Sequence, residues 1–238
     1  MQRYFGSVLG KSVLLKDDDV HHLLKVMRAK IGDNIEVVSD GVAFMAQVKN
    51  LRPLQIEIIS KIEEKRELPI DIILIASLLK GDKIDFVVQK ACELGVSEIV
   101  LLNTSRVIVR KDDYCSEKKF IRYNKILKEA SEQCHRNKIP LLYRAIDIKD
   151  IQTIKADVKL IAYEDNAGST KSFLSEVRKI EKGQKVAILI GPEGGFSSQE
   201  VALCKDNGYS TVSLGRRILR AETASIYALS VISCLSDK

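Results

Sequence analysis

The sequence predicts an α/β protein organised on a parallel sheet, preceded by a smaller β-rich module. Three observations carry this reading. From residue 69 onward, short Val/Ile/Leu runs alternate with helical stretches, the pattern of strands buried on both faces of a parallel sheet. Residues 1–68 instead hold strand-like segments separated by turn signals. Between the two lies Glu63-Glu64-Lys65-Arg66-Glu67, a charged run closed by Pro69. A chain of 238 residues, at roughly 150 per domain, accommodates one to two domains and is long enough to bury a hydrophobic core without disulfides or metals.

In residues 1–68, Arg3–Val8, Asn34–Ser39, Val42–Val48 and Ile56–Ile62 read as strands, with Ser39-Asp40-Gly41 as a turn. One helix interrupts them. Asp18 or Asp19 can cap it, Val20, Leu23, Leu24 and Met27 recur at helical spacing, and Gly32 stops it. His21 and His22 are adjacent on that helix and cannot both face one metal, so they are read as surface or packing residues.

In residues 69–238, Ile70–Leu78, Glu98–Leu102, Val158–Ala162, Val186–Ile190 and Thr211–Leu214 read as strands. Helices are expected over Lys83–Leu94, Ser116–His135, 169–180, 197–206 and from Ala221 to Leu235.

Composition narrows the function classes. Apolar residues at 45% and charged residues at 29% describe a folded chain and exclude a disordered or fibrous one. No window approaches the ~18 uninterrupted apolar residues of a membrane span. Met1 to Gly6 lead to Asp17, Asp18 and Asp19 without a secretory apolar stretch, so an intracellular, cytoplasmic protein with no membrane partner is expected. The cysteines at 92, 115, 134, 204 and 234 form no zinc-type spacing and are read as reduced, mostly buried thiols, with no metal site. Trp is absent and aromatics are 5%, which argues against a stacking platform for single strands.

The net charge of +6 is unevenly spread. Residues 1–70 hold 11 basic and 10 acidic side chains, whereas residues 104–144 hold 11 basic and 5 acidic. Such a concentration from Arg106 through Arg144 points to a polyanionic partner, nucleic acid first among them; the alternative is a solvated helix face balanced by its neighbours.

Two segments carry the chemistry. The strand Val186–Ile190 runs into Gly191-Pro192-Glu193-Gly194-Gly195-Phe196-Ser197, a glycine loop at the carboxyl end of a parallel strand, where open α/β sheets bind ligands. Ser197 or Ser198 can cap the following helix. The loop has no lysine, which excludes a P-loop, and lacks the G-x-G-x-x-G spacing of a dinucleotide site. The second segment, Ser213-Leu214-Gly215-Arg216-Arg217-Ile218-Leu219-Arg220-Ala221-Glu222-Thr223-Ala224, is another strand end with a glycine, three arginines and a helix rich in small residues. Either loop alone is a turn; two at successive strand ends, the second armed with guanidinium groups, form a constellation.

These paired loops resemble the RsmE family of ribosomal RNA small-subunit methyltransferases, within the SPOUT superfamily. The resemblance extends to Arg3-Tyr4-Phe5, His21-His22-Leu23 with Val26-Met27-Arg28, Leu79-Lys80-Gly81-Asp82-Lys83, Val88-Gln89-Lys90-Ala91 with Glu93-Leu94-Gly95-Val96, Ser105-Arg106, and Glu132-Gln133 with Arg136. Ser105-Arg106-Val107 departs from it, since many relatives carry Glu-Arg-Ser there.

The resemblance implies methyl transfer from S-adenosyl-L-methionine to N3 of a uridine in 16S ribosomal RNA of the small ribosomal subunit. It also implies a SPOUT-type parallel sheet with a C-terminal trefoil knot (residues 69–238), a small N-terminal PUA-like β-barrel (residues 1–68) and a homodimer. The cofactor pocket would draw on Ile190, Gly191, Glu193, Gly194 and Gly195 from the first loop and on Leu214, Gly215, Ile218, Leu219, Thr223 and Ala224 from the second. Uracil N3 must lose a proton, leaving an anion on the neighbouring carbonyls, so a cationic stabiliser and a base are wanted. Arg220 is read as the stabiliser or base holder, and Glu222 as either the base or a residue serving the helix dipole. Arg3, Arg28, Lys90, Arg106, Arg136 and Arg217 are the candidate RNA contacts. Two other readings remain open: a SPOUT enzyme acting on another RNA nucleotide, such as a tRNA ribose, and a non-catalytic RNA-binding assembly protein.

Overall fold

The computed structural model describes residues 1–108, 116–163 and 171–237. It divides into two compact units, residues 1–67 with 131–138, and residues 68–130 with 139–238.

The first unit is a six-stranded sheet of β1 (Arg3–Phe5), β2 (Ser7–Leu9), β3 (Ser12–Leu14), β4 (Asn34–Ser39), β5 (Val42–Leu51) and β6 (Leu54–Ile62), in the order β1-β4-β5-β6-β3-β2. Only β1 and β4 pair parallel; the other pairings are antiparallel. The β4–β5 hairpin closes with Ser39 opposite Val42, so Asp40 and Gly41 form a two-residue loop, both at positive φ (50° and 77°). That twist matches the flanking strands, and glycine adopts it freely. Tyr4, Val13, Leu23, Ile35, Val37, Ala46, Val48 and Ile56 form the unit's core.

The expected strand Arg3–Val8 is in fact two, broken at Gly6. A Cβ there would lie 2.7 Å from the Leu14 carbonyl oxygen, so the chain turns where only glycine fits. The expected aspartate cap is also corrected. Helix α1 (Asp17–His21) starts after Lys16 without a side-chain cap, and its three aspartates sit in the first turn, where they oppose the dipole. The chain then widens into a π-helical turn, His22–Val26, and leaves it at Arg28 (φ 55°), before Gly32 is reached. His22 packs, with its Nδ1 3.0 Å from the Tyr4 hydroxyl.

The second unit is a seven-stranded, all-parallel sheet in the order β11-β13-β10-β12-β7-β8-β9. Its strands are β7 (Asp71–Ser77), β8 (Glu98–Asn103), β9 (Leu141–Asp147), β10 (Val158–Ala162), β11 (Lys171–Ser172), β12 (Lys185–Ile190) and β13 (Ser210–Ser213). The apolar runs divide between two cores. Val186, Ile188 and Ile190 of β12 join Ile72 and Leu74 of β7 on one face, while Ala187 and Leu189 join Ile73 and Ile75 on the other. Each such Val, Ile or Leu side chain, fully buried, contributes roughly 1.5–3 kcal/mol. Helices α2 (Lys83–Glu93), α4 (Phe173–Val177) and α6 (Ala221–Ser236) cover the first face, together with Tyr123 and Leu127 of α3 (Glu117–Gln133). Helix α5 (Ser198–Asp206) and the 3₁₀ turn Ile148–Thr153 cover the second.

Several expectations change in this unit. The helix expected over 169–180 is limited to Phe173–Val177, and residues 169 and 170 lie outside the described residues. Strand β9 and the 3₁₀ turn were not anticipated; β9 is an edge strand whose Leu141 and Tyr143 face outward, so it lacks a continuous apolar run. Of the described cysteines, Cys92 and Cys204 are buried, Cys134 is half-buried and Cys234 exposed, so burial is less general than expected; Cys115 lies outside the described residues. Burial, aided by the charge of Glu200, pushes the Cys204 thiol up to about 12. Part of the basic stretch is internally balanced: Arg122 pairs with Asp85 and Arg144 with Glu117. Arg110 and Lys111 lie outside the described residues. No described helix is long and apolar enough to cross a membrane.

Candidate active site

A parallel sheet ends all its strands in one direction, and the carboxyl ends of β10, β12 and β13 open into a cleft of about 590 Å³. Two glycine loops build its walls. At the end of β12 the Ile190 carbonyl is held by the Ser77 hydroxyl at 2.9 Å, and the chain then turns sharply, with Gly195 N–H bonded to the Pro192 oxygen at 2.9 Å. Phe196 folds beneath the loop so closely that a Cβ on Gly191 would sit 2.9 Å from its ring. At the end of β13, Gly215 adopts φ 125° and its N–H meets the Ser213 hydroxyl at 3.2 Å. Only glycine, lacking a Cβ, adopts that conformation at little cost.

Ile190, Gly191, Glu193 and Gly195 from the first loop line the cleft, as do Leu214, Gly215, Ile218, Leu219 and Ala224 from the second. Two residues expected in the pocket stand outside the lining. Thr223 is exposed on α6, and Gly194 turns its carbonyl to Arg106, whose Nη1 donates to it at 3.0 Å. A Cβ on Gly194 would lie 3.1 Å from Arg106 Cβ, so the glycine lets these two loops close on each other.

Arg106, Arg217 and Arg220 line the same cleft and are exposed. Arg220 is the N-cap of α6 but makes no side-chain cap bond, which leaves its guanidinium free of helix duty. Glu222 lies in the first turn of α6, and its Oε2 is buried without a hydrogen-bond partner among the described residues.

The other RNA candidates separate. Arg28 is exposed. Lys90 is engaged with Glu93 at 2.8 Å on its own helix. Arg3 and Arg136 are corrected: they are 1% and 5% exposed and hold the first unit together. Arg3 pairs with Glu36 at 2.6 Å and donates to Asn137 Oδ1 at 2.7 Å and to the carbonyls of His135 and Arg136. Arg136 pairs with Glu67 at 2.6 Å. Guanidiniums buried and paired in this way have no free face for a phosphate.

Sequence reasoning missed two residues. Glu200 is buried in α5 and closes a capping box with Ser197 while accepting the Ser105 N–H at 2.7 Å. The Ser197-to-Glu200 spacing was visible; the bond to Ser105 was not. Lys83, the first residue of α2, places its Nζ 2.8 Å from Glu193 Oε1 and 3.7 Å from Glu222 Oε2. Burial opposes the charge on Glu193, yet the Lys83 hydrogen bond and nearby backbone donors outweigh it and hold the carboxyl below its ordinary range. The Glu193 hydrogen bond raises Lys83 in turn.

A parallel sheet with a glycine-walled cleft at its carboxyl edge, rimmed by arginines, has the makings of an RNA-modifying transferase. The comparisons agree on that class: the model of the RNA methyltransferase domain matches residues 66–233, and that of the RNA methyltransferase PUA domain matches residues 15–59. The chain is 35% identical to ribosomal RNA small subunit methyltransferase E of Bacillus subtilis, over 98% of this chain and 96% of that one. It is 30% identical to the protein of the same name from Mesomycoplasma hyopneumoniae, across the full length of both. The crystal structure of ribosomal RNA small subunit methyltransferase E from Neisseria gonorrhoeae bound to S-adenosyl methionine superposes with a TM-score of 0.85, at 31% identity, over 99% of this chain and 98% of that one. The chain belongs to the ribosomal RNA small subunit methyltransferase E family.

Proposed function

We propose that this protein transfers a methyl group from S-adenosyl-L-methionine to N3 of one uridine in the 16S ribosomal RNA of the small ribosomal subunit. The observation that carries the reading is the single cleft into which both glycine loops and the side chains of Arg106, Arg217 and Arg220 converge.

The residues present suit the donor. A cleft of about 590 Å³ lies within the usual range for small ligands, roughly 300–1,000 Å³. Ile190, Leu214 and Leu219 offer apolar walls for a nucleoside, and Glu193 offers an anion to a cationic group. When bound, S-adenosylmethionine supplies a methyl group already activated on a sulfonium. The chain's residues do the rest. Glu222, one of whose carboxylate oxygens is buried with no hydrogen-bond partner among the described residues, takes the N3 proton. Arg220 holds the negative charge that spreads onto the uracil carbonyl oxygens, a form of stabilisation commonly worth about 10²–10³ in rate. Arg106, Arg217 and Arg28 hold phosphates, which position RNA without reading its sequence. Reaching N3 in structured RNA requires turning the base out of its stack.

In this reading residues 1–68 form a PUA-like barrel that grips RNA, and residues 69–238 form the methyltransferase domain. The cofactor pocket is tied by a C-terminal trefoil knot, and the active species is a cytoplasmic homodimer. The test is incubation with methyl-labelled cofactor and small subunits lacking the modification, beside naked 16S RNA. Digestion and mass mapping should return 3-methyluridine at one position. Label on a ribose oxygen or another base would reassign the substrate, and no affinity for the cofactor would leave an RNA-binding protein.

A further inference from the structure

Lys83 stands between two carboxylates, Glu193 in the cleft lining and Glu222 just outside it. Glu193 lines the cleft from the loop after β12, and Glu222 lies in the first turn of α6. The ammonium satisfies them unequally, with a hydrogen bond of 2.8 Å to Glu193 and a separation of 3.7 Å from Glu222. The less favoured carboxylate is the one with a buried oxygen lacking a hydrogen-bond partner among the described residues. The Lys83 side chain is 35% exposed on a four-carbon stem, so moving about an ångström from one partner to the other meets little resistance.

We propose that Lys83 is a positioning residue that a cationic ligand in the cleft displaces from Glu193 to Glu222. The inference rests on the methyltransferase reading above. S-adenosylmethionine carries a sulfonium and an ammonium against one carboxylate, so it brings net positive charge beside Glu193. Two cations competing for one carboxylate repel each other, and the protein's own cation has a second acceptor close by. Its arrival there gives the Glu222 carboxylate a hydrogen-bond donor and fixes its orientation when the cofactor is present. Occupancy of the cleft thereby readies the proton acceptor, and the coupling is reciprocal by linkage.

The signature is a pair of effects with opposite signs. Lys83→Met removes the competitor, so calorimetric titration should show S-adenosylmethionine binding two- to tenfold tighter, while single-turnover methylation of small subunits slows at least tenfold. Lys83→Arg, which keeps a cation, should restore the rate to within about threefold. Glu193→Gln removes the group both cations seek, and in that background Lys83→Met should leave affinity unchanged. Unchanged or weaker cofactor binding in Lys83→Met, an unchanged methylation rate, or an affinity gain that persists in the double variant would each overturn the proposal. A wild-type protein that neither binds the cofactor nor methylates would instead sink the functional reading; a working wild type with an indifferent Lys83 sinks only this inference.

Discussion

The Ser105 backbone N–H donates to Glu200 Oε1 at 2.7 Å, and through that bond helix α5 holds the loop that presents Arg106 to the cleft. The other carboxylate oxygen accepts from the Ser197 N–H at 2.8 Å and from its hydroxyl at 3.0 Å, so one buried group closes a helix cap and secures a second loop. The Ser105 backbone N–H and hydroxyl both serve Glu200.

Glu200→Ala should therefore cost roughly 2 kcal/mol of stability, the sum of a lost cap and a lost charge-assisted bond, read by chemical denaturation. The pH dependence has a definite sign. Burial alone would raise this carboxyl, but the Ser105 and Ser197 hydrogen bonds prevail and hold it below its ordinary value near 4.5. A depressed carboxyl contributes stability above that value and loses it as pH falls through the lower folded value. The wild type should thus lose more stability than Glu200→Ala between pH 5 and more acidic conditions; parallel acid profiles would show that the bonds contribute nothing.

Arg3 and Arg28 should separate cleanly. Arg3 is buried against half-buried Glu36, so Arg3→Met leaves that carboxylate with His135 Nδ1, at 2.8 Å, as its remaining side-chain partner among the described residues and should destabilise the protein by about 3 kcal/mol. Exposed Arg28 should do the opposite. Arg28→Ala should leave the melting temperature unchanged and reduce the slope of log affinity for RNA against log salt by about one. A stable Arg3→Met with a flattened salt slope would return Arg3 to the RNA surface.

The sheet was legible wherever both faces of a strand are buried. Val186–Ile190 gains only Lys185, because a continuous apolar run has no other stable place, and Val158–Ala162 is reproduced as read although Lys159 interrupts its apolar run. The glycine loops were legible because their bends demand that residue. Edge strand β9 was not, since one side of it meets solvent. Nor were the roles of Lys83, Arg3 and Arg136. Each depends on a carboxylate far away in sequence, 110 positions in the case of Lys83 and Glu193, and a lone cation in a sequence reads the same whether it meets phosphate or a buried partner.

Gly215 tests the cleft itself. Among the described residues nothing lies within 4 Å of the position its Cβ would take, but at φ 125° the backbone resists a side chain there. Gly215→Val should cost about 1–3 kcal/mol of strain or rearrange the loop. Either result moves a wall of the cleft, and cofactor affinity should drop at least tenfold by titration. Wild-type affinity in this variant would place the cofactor elsewhere.

Arg220 decides how the work is divided between donor and RNA. It caps α6 through its backbone alone and its side chain is exposed at the cleft, so truncation takes nothing from the fold. If the guanidinium meets charge that forms only as N3 loses its proton, Arg220→Ala should lower single-turnover methylation by more than about a hundredfold while cofactor affinity stays within about threefold. Lysine keeps the charge but not the planar fork, so Arg220→Lys should recover only part of the rate. A cofactor affinity that falls in step with the rate would move Arg220 from the uracil side of the cleft to the donor side, and the stabilising cation would then be Arg217 or Arg106, the other guanidiniums lining the same walls.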